Sequence, residues 1–341
     1  MRKKRKRKKS ALKKILISIF VLIIIGIVFC GSYFAYQISK LKQLDLNLDN
    51  IGINFNSKDN VVNKYKDYSD DITNIALFGV DSRHAKEGDV SHSDSMMILS
   101  IDKKHNKIKL SSILRDSLVK VDGHGETKIT HAYAYGGPEL SVKTINQNFN
   151  LNIQDYITVD FSGLTEIIDS LDGVTIDVKE KEIDQINKYG KEIAQIMHEK
   201  YTPIEKPGIQ TLNGHQATAY ARIRKVGNGD FDRTERQKNV LIEIAKKIQE
   251  QGVTKYPSLI SKLLPYAETS LSTKEILTIA TDCITKGLTT IDWYRFPLDG
   301  YCDKKTVNNQ WSLWIDIPET TNHIHEYIYE DIKATPGEPK F

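Results

Sequence analysis

Aspartate and arginine residues stand at the ends of several apolar runs in the first half of this 341-residue chain. Asp81 and Arg83 directly follow the run NIALFGV, Asp94 precedes SMMILSI, and Arg115 follows IKLSSIL. Short apolar runs between polar turns are typical of buried strands. Ligand sites in open α/β sheets lie off the carboxyl ends of strands, where Asp81 and Arg115 are expected. We therefore predict that these side chains contribute to one site.

A second group of polar residues lies between positions 222 and 237. In the segment YARIR, Arg222 and Arg224 share a face if the backbone is extended. Arg233 and Gln237 lie on or near the apolar stripe of a helix predicted over 232–252, so both should point inward. Asp230 lies just before that helix. Because two like charges about 4 Å apart repel by about 4 kcal/mol at an effective dielectric of ~20, inward arginines require an anion or carboxylates between them.

Phosphate is the anion that these residue types favour. Arginine forks bind phosphate oxygens in a bidentate manner. Asp232 and Glu235 predict a capping box, and the helix N-terminus adds free N–H groups for the same anion. Asp81 and Asp94 suit Mg²⁺, which usually takes one or two protein carboxylates with phosphate oxygens and water. Any single Arg–Asp pair could be an ordinary salt bridge, but six arginines at strand and helix ends, of which Arg236 near the start of the predicted helix is the sixth, favour a phosphate site.

Strand-like and helical segments alternate along the body of the chain. Strands are predicted at 74–80, 95–101, 108–114, 156–161 and 174–178, and helices at 138–149, 162–171, 180–200, 212–221 and 232–252. This alternation predicts an α/β fold with a largely buried sheet. No GxxxxGK[ST], HExxH or GxSxG motif is present, so P-loop, zincin and serine-hydrolase functions lack support.

The N-terminal segment predicts a membrane anchor. The first fourteen residues hold ten lysines and arginines and no acid, which leaves the rest of the chain with a net charge of −6. Such a body is a poor partner for nucleic acid. Residues 15–36 contain no charged side chain, and as a helix they would span about 33 Å, enough for a hydrocarbon core of about 30 Å.

Positive charge stays on the cytoplasmic side of a membrane helix. We therefore predict a cytoplasmic tail over 1–14, a transmembrane helix over 15–36 and an extracytoplasmic stem over 37–71. A cleaved signal peptide and a lipoprotein modified at Cys30 are weaker alternatives, because no small-residue cleavage site follows the run and Phe29 is bulky. Spacing does not decide whether Cys283 and Cys302 pair.

Six stretches of the chain, taken together, resemble the LytR-CpsA-Psr family of cell-envelope proteins. They cover roughly residues 72–251 in the family's order and read NIALFGVDSR, SHSDSMMILSID, ILRDSLVKVDGHGETKITHAYAYGG, FSGLTEIIDSLDGVTIDV, LNGHQATAYARIRK and GDFDRTERQ. The resemblance implies a mixed central sheet flanked by helices, with an apolar pocket for a polyprenyl chain. It places a catalytic domain at 72–255 and leaves 256–341, part of the extracytoplasmic region, without an assigned role.

The resemblance also implies an activity and its partners. Family members transfer a glycopolymer such as teichoic acid or capsule, as its sugar phosphate, from a polyprenyl diphosphate carrier to N-acetylmuramic acid of peptidoglycan. The expected place is the outer face of a Gram-positive plasma membrane. The alternatives are a polyprenyl diphosphate hydrolase, a non-enzymatic regulator of the transcriptional-attenuator type, and an envelope-binding module without turnover.

Carried over residue by residue, the resemblance makes Asp81 and Asp94 ligands of Mg²⁺, with Mn²⁺ as the alternative. The candidate catalytic residues are Asp94, Asp230 and Arg115, and the choice of general base between the two aspartates stays open. The implied diphosphate-binding residues are Arg83, His92, Arg115, Arg222, Arg224, Arg233 and Gln237.

One position departs from the family's pattern. Where the family commonly has Arg-Ser-Asp, this chain has His92-Ser93-Asp94. A histidine donates to phosphate more strongly when it is protonated, so we expect a pH-sensitive contact at this position.

Overall fold

The computed structural model describes residues 42–53, 64–65, 71–81, 91–252, 255–288, 290–307 and 309–339. The predicted tail, the predicted membrane helix, most of the stem and Arg83 lie outside these ranges. Among the helices within them, none is both long enough and apolar enough to cross a membrane.

Thirteen strands lie in the described ranges, and seven of them form a mixed central sheet in the order β1-β10-β7-β2-β3-β4-β11. β2 pairs antiparallel with β3 and parallel with β7, and β11 pairs parallel with β4. The strands are β1 (Lys42–Gln43), β2 (Ile72–Val80), β3 (Ser93–Asp102), β4 (Lys107–Ile113), β5 (Leu118–Val121), β6 (Gly125–Lys128), β7 (Asp155–Asp160), β8 (Val174–Val178), β9 (Gly208–Leu212), β10 (Glu268–Thr269), β11 (Ile291–Phe296), β12 (Cys302–Val307) and β13 (Gln310–Ile315).

Near its middle, the central strand β2 is covered on both faces, as its apolar sequence predicts. Ile75 and Ala76 are neighbours on β2 and therefore point to opposite faces, yet each is at most 1% exposed. The helices that cover the sheet and complete the fold are α1 (Thr130–Phe149), α2 (Phe161–Ser170), α3 (Ile183–Ile196), α4 (Gly214–Ala221), α5 (Asp230–Glu250), α6 (Tyr256–Leu263), α7 (Thr273–Thr285) and α8 (Ile317–Tyr329).

Two hydrophobic clusters divide the structure. The first lies between the sheet and helices α1 and α8, and includes Phe78, Ile98, Phe149 and Ile328. The second lies among β8, β9 and helices α2 to α5, and includes Ile186 and Val240 among its buried residues. The functional candidates lie where elements of the two clusters meet, at the ends of β2 and β4 and the start of α5.

Several predicted helix bounds differ from the structure. The helix predicted over 180–200 is a short 3₁₀ turn, Glu180–Glu182, followed by α3. The prediction that a helix starts at Leu212 is wrong, because Leu212 ends β9 and the Asn213 side chain caps α4 by accepting from the Gln216 N–H at 3.0 Å. Pro138 begins a second segment of α1 after a break at Gly136 and Gly137.

The segment after residue 255 is integral to the sheet. β10 and β11 lie within it, and α8 packs in the first hydrophobic cluster. Cys302 in β12 is buried and Cys283 in α7 is half-buried, and neither forms a disulfide. The two cysteines, whose spacing left their pairing undecided, therefore do not pair with each other.

Candidate active site

A β-bulge presents the side chain of Asp94 near the start of β3, at one end of the sheet's strands. Gly79 pairs with Ser95 and Val80 pairs with Ser93, so Asp94 is the extra residue of β3. A bulge bends the strand and redirects the side chain of the unpaired residue. Asp81 follows β2 at the same end, and its backbone oxygen accepts a hydrogen bond from Ser91 Oγ at 2.5 Å. The two predicted metal ligands therefore lie at the same end of the β2–β3 strand pair.

Arg115 follows β4 and forms an ion pair with Asp94, between Nη1 and Oδ1. The next residue, Asp116, is buried and lies 2.8 Å from Lys128 Nζ. Burial alone would raise the pKa of the Asp116 carboxyl, but Lys128 and Arg115 outweigh it and hold that pKa below its ordinary value. Asp116 is thus an anion that holds Arg115 and Lys128 beside it.

Asp230 is the first residue of α5, and this corrects the predicted capping box. The helix begins two residues earlier than predicted, with Gly229 as its N-cap at a φ of 59°. Asp232 Oδ2 accepts instead from the Asn228 N–H at 3.0 Å. The turn requires glycine at position 227, where φ is +81° and a Cβ would lie 1.7 Å from Asp232 Oδ2.

Two arginines bind Asp230. Arg224 Nη2 lies 2.5 Å from Oδ2, and Arg233 Nη2 lies 2.5 Å from Oδ1. Arg233 also approaches Asp94 Oδ1, at 3.9 Å, so one buried arginine bridges the two carboxylates. The predicted inward orientation of Arg233 is confirmed, since it is only 4% exposed.

The environment of Arg233 is electrostatically costly. Burial lowers the pKa of its guanidinium, the carboxylates of Asp230 and Asp94 oppose that shift, and the charges of Arg115 and Arg224 reinforce it. Its Nε is buried and has no hydrogen-bond partner among the described residues. A cation placed among other cations, with an unused donor, is suited to binding a further anion.

Arg222 is the C-cap of α4, so the YARIR segment is not an extended strand. Its guanidinium lies 4.7 Å from the ring centroid of Phe161 and 4.9 Å from that of Tyr189. Arg222 and Arg224 nevertheless line the same cavity of about 320 Å³. The other residues lining it are Asp94, Phe161, Tyr189, Glu192, Ala221, Arg233 and Gln237.

The structure brings most of the predicted site residues together. Gln237 lies beside them, with Nε2 3.4 Å from the backbone oxygen of Asp94. His92 is exposed, and its ring packs edge-on against His131 at 5.1 Å rather than against an arginine. Arg83 lies outside the described residues. The residues that share the cluster or its cavity are Asp94, Arg115, Arg222, Arg224, Asp230, Arg233 and Gln237.

Sequence reasoning missed the two aromatic rings that hold Arg222. Phe161 directly follows β7 at its carboxyl end, which is the same signal that singled out Asp81 and Arg115. Tyr189 lies in the middle of α3 and carries no comparable sequence signal.

A family model, that of the LytR_cpsA_psr family, matches residues 43–326 of this chain. The chain belongs to the LytR-CpsA-Psr family. It is 31% identical over 268 residues, 76% of this chain and 75% of the relative, to the polyisoprenyl-teichoic acid–peptidoglycan teichoic acid transferase TagU of Oceanobacillus iheyensis. It is 30% identical over 261 residues, 75% of this chain and 74% of the relative, to the regulatory protein MsrR of Staphylococcus aureus.

A solved structure of the family shares the fold. The LytR-CPS2A-psr family protein YwtF (TagT), with bound octaprenyl pyrophosphate lipid, superimposes with a TM-score of 0.60 at 21% identity over 84% of this chain and 100% of that one. The mixed sheet flanked by helices, implied by the sequence resemblance, is therefore confirmed.

The carboxylates of this LytR-CpsA-Psr site fit a magnesium ion that is bound largely by substrate. Among the described residues, no group of three or more His, Cys, Asp or Glu side chains could hold a metal ion. Mg²⁺ needs only one or two protein carboxylates when phosphate oxygens and water complete its shell. Asp94 at the bulge and Asp81 after the end of β2 provide such oxygen donors at the same end of the strand pair.

Proposed function

We propose that this protein is a membrane-anchored phosphotransferase that moves a glycopolymer, as its sugar phosphate, from a polyprenyl diphosphate carrier to peptidoglycan. The observation that carries the proposal is the convergence of Arg115, Arg224 and Arg233 on the two carboxylates Asp94 and Asp230. The transferase name of the TagU relative and the lipid diphosphate bound to TagT agree with it.

The arginines would bind the diphosphate by exchanging partners. With no substrate, Asp94 and Asp230 neutralise them; a diphosphate offers the same guanidinium forks a multiply charged alternative. Binding would then release carboxylate oxygens within reach of the reacting phosphate. Transfer of this kind depends on positioning and on stabilising charge more than on covalent help.

The acceptor hydroxyl would attack the phosphorus on the sugar side. A P–O bond to the sugar phosphate forms, the bond to the bridging oxygen breaks, and the lipid phosphate leaves with that electron pair. The hydroxyl proton passes to a carboxylate, for which Asp94 and Asp230 are the candidates. Asp81 and Asp94 would hold Mg²⁺, with Mn²⁺ as the alternative, and the bound ion would neutralise charge on the leaving phosphate.

Half-buried leucines on one face of the sheet suit contact with the polyprenyl chain. Phe78 and Ile98 point into the first hydrophobic cluster, so Leu77 and Leu99 beside them point to the other face of the sheet. Both leucines lie in central strands yet are only half-buried, and they belong to neither cluster. An apolar surface of this kind would accept a lipid tail whose diphosphate is bound by Arg115, Arg224 and Arg233, which we call the diphosphate clamp.

A membrane anchor would confine enzyme and lipid donor to one plane. Residues 15–36 carry the hydropathy for it, and the basic tail favours a body outside the cytoplasm, facing the wall of a Gram-positive cell. With only a short tail in the cytoplasm, direct DNA binding by the acidic body is disfavoured.

A transfer assay tests the proposal. The full-length protein in lipid nanodiscs would be incubated with a polyprenyl diphosphate sugar, Mg²⁺ and peptidoglycan oligomers, and the products weighed by mass spectrometry. Arg115→Met should abolish the phosphodiester product. Arg295→Met is the matched control, because Arg295 has a side chain 17% exposed against 18% for Arg115 and pairs with Asp299 outside the cluster.

Each rival predicts a different result in this assay. Free sugar phosphate in equal yield without peptidoglycan would replace the transferase with a hydrolase. Lipid binding without either product would favour a binding module or the regulator suggested by the name of the MsrR relative.

A further inference from the structure

Two β-hairpins form a rim beside Arg115. The first is β5–β6 and the second is β12–β13. The N–H of Leu313 in β13 donates to the backbone carbonyl oxygen of Asp116 at 2.9 Å, and Lys305 Nζ in β12 lies 3.5 Å from Glu126 Oε1 in β6. The second hairpin is therefore fixed to the segment that follows Arg115.

Trp311 is the exposed aromatic residue of this rim that faces the cluster. The residue is 40% exposed, although Leu313 on the same strand is buried and bridges to Ser117. Lys128 Nζ lies 5.8 Å from its ring centroid and 2.8 Å from Asp116, so the ring is tied to the residue next to Arg115. An indole left this exposed beside charged groups offers a large apolar face to a ligand.

The cleft between Trp311 and the carboxylates is narrow. Asp94, Arg115, Asp230 and Trp311 line it together with buried apolar side chains such as that of Leu313, and its volume is about 10 Å³. That space holds about one water-sized group and excludes a sugar ring. A hydroxyl could enter the cleft and reach both carboxylates, while the sugar that bears it would stay outside, against the indole.

The larger cavity, which we assign to the donor, borders the same groups. It has a volume of about 320 Å³, shares Asp94, Arg233 and Gln237 with the narrow cleft, and is lined by the Arg222 aromatic pair. The two spaces therefore adjoin at these three shared residues, and their other lining residues differ. An in-line displacement needs its nucleophile and its leaving group on opposite sides of the phosphorus.

We propose that Trp311 is the platform of an acceptor subsite, on which a peptidoglycan sugar stacks while its hydroxyl enters the narrow cleft. This inference rests on the proposed transferase function and assigns the acceptor side of that same site. The saturated C–H face of a pyranose packs on an indole ring as other apolar surfaces do. Trp311 is a binding residue for the acceptor and takes no part in the proton transfer.

Trp314 provides a matched control on the same strand. It is 39% exposed, against 40% for Trp311, but it does not line the cleft. In full-length protein in nanodiscs, Trp311→Ala should raise the KM for peptidoglycan oligomers by about three- to tenfold, with the donor KM and the kcat at saturating acceptor unchanged. Trp311→Phe should recover most of the loss, and Trp314→Ala should behave as the wild type.

A binding measurement separates this inference from the proposed function. Titration of muropeptide oligomers, without donor, should change the tryptophan fluorescence of the wild type and Trp314→Ala but not of Trp311→Ala. That result supports the subsite even if no transfer product forms, in which case the transferase proposal alone fails. Equal acceptor KM and equal binding in the two alanine variants would overturn the subsite. A rise in donor KM instead would overturn it by assigning the ring to the donor's sugars, and no saturable binding by the wild type would also overturn it.

Discussion

Two buried arginines three residues apart on α5 should respond in opposite ways to the same substitution. Arg233 is 4% exposed and Arg236 is 5% exposed, so burial does not distinguish them. Their partners do. Arg236 belongs to a satisfied buried ion pair, whereas Arg233 shares its two carboxylates with other arginines.

Arg236→Met should destabilise the fold. Arg236 Nε lies 2.8 Å from Glu182 Oε1, and its terminal nitrogens donate to the backbone oxygens of Ile223 and Val226 at 3.2 and 3.1 Å. Removing the guanidinium leaves Glu182 buried without its cation, which costs about 3–5 kcal/mol. For a body of this size that lowers the Tm by roughly 6–20 °C.

Arg233→Met should leave stability nearly unchanged and remove activity. Asp230 keeps Arg224 and Asp94 keeps Arg115, so no buried carboxylate loses its last cation. The guanidinium whose pKa is lowered by burial is also gone, which offsets the lost attraction. We expect the change in unfolding free energy to be well below the ~3–5 kcal/mol of a buried carboxylate that loses its only cation. Loss of a preorganised donor to the reacting phosphate should lower kcat about 10²–10³-fold.

Urea unfolding and the transfer assay, run on both variants, test this contrast. Lys246→Met is the baseline, because it breaks an exposed ion pair with Glu243 on the same helix and should cost less than about 1 kcal/mol. If Arg233→Met loses as much stability as Arg236→Met, Arg233 is a structural residue and the clamp reasoning is refuted. Full activity in a stable Arg233→Met variant would refute it equally.

Three further results are expected. Phe161→Leu or Tyr189→Leu should each raise the donor KM about two- to fivefold in initial-rate assays, because the rings hold the Arg222 guanidinium; an unchanged KM would show that the contacts do not position it. Asp94→Asn should raise the Mg²⁺ concentration for half-maximal rate by about tenfold or more, and EDTA should abolish turnover; EDTA-resistant transfer would contradict the metal assignment. Burial lowers the pKa of His325, so the unfolded chain binds its proton first as pH falls. Stability should therefore decline below about pH 6.5 and level off below the folded-state pKa, and His325→Gln should flatten that slope in urea titrations.

The parts of the fold that depend on local patterns could be predicted from sequence. The apolar runs of β2, β3 and β4 and the apolar stripe of α5 place these elements nearly where they lie. The start of α5 was missed because Gly229, without a side chain to cap the helix, is the N-cap, whereas Asp232 and Glu235 resemble a capping box. Local chemistry at a helix end can support two starts, and the turn at Gly227 decides between them.

The site was predictable by residue type and not by geometry. The arginines and aspartates were identified from their positions at element ends and from the family resemblance. The bulge that presents Asp94 depends on the pairing register of two strands, which sequence does not display. The same applies to the contrasting roles of Arg233 and Arg236, because Glu182, the carboxylate partner of Arg236, lies 54 positions away in sequence.

The charges of the cluster give a physical reason for a divalent cation. Among the described residues, the guanidinium groups of Arg115, Arg222, Arg224 and Arg233 face the carboxylates of Asp94, Asp230 and Glu192, a net charge of +1. A diphosphate diester adds one negative charge on each phosphate. The partly buried cluster with its bound diphosphate would therefore carry a net negative charge. Burying uncompensated charge is costly. With the carboxylate of Asp81 included, the total is −2, and one Mg²⁺ beside Asp81 and Asp94 would bring it to zero. The arginines would then select the anion. The metal ion would neutralise the remaining negative charge while the diphosphate is bound and when the lipid phosphate leaves.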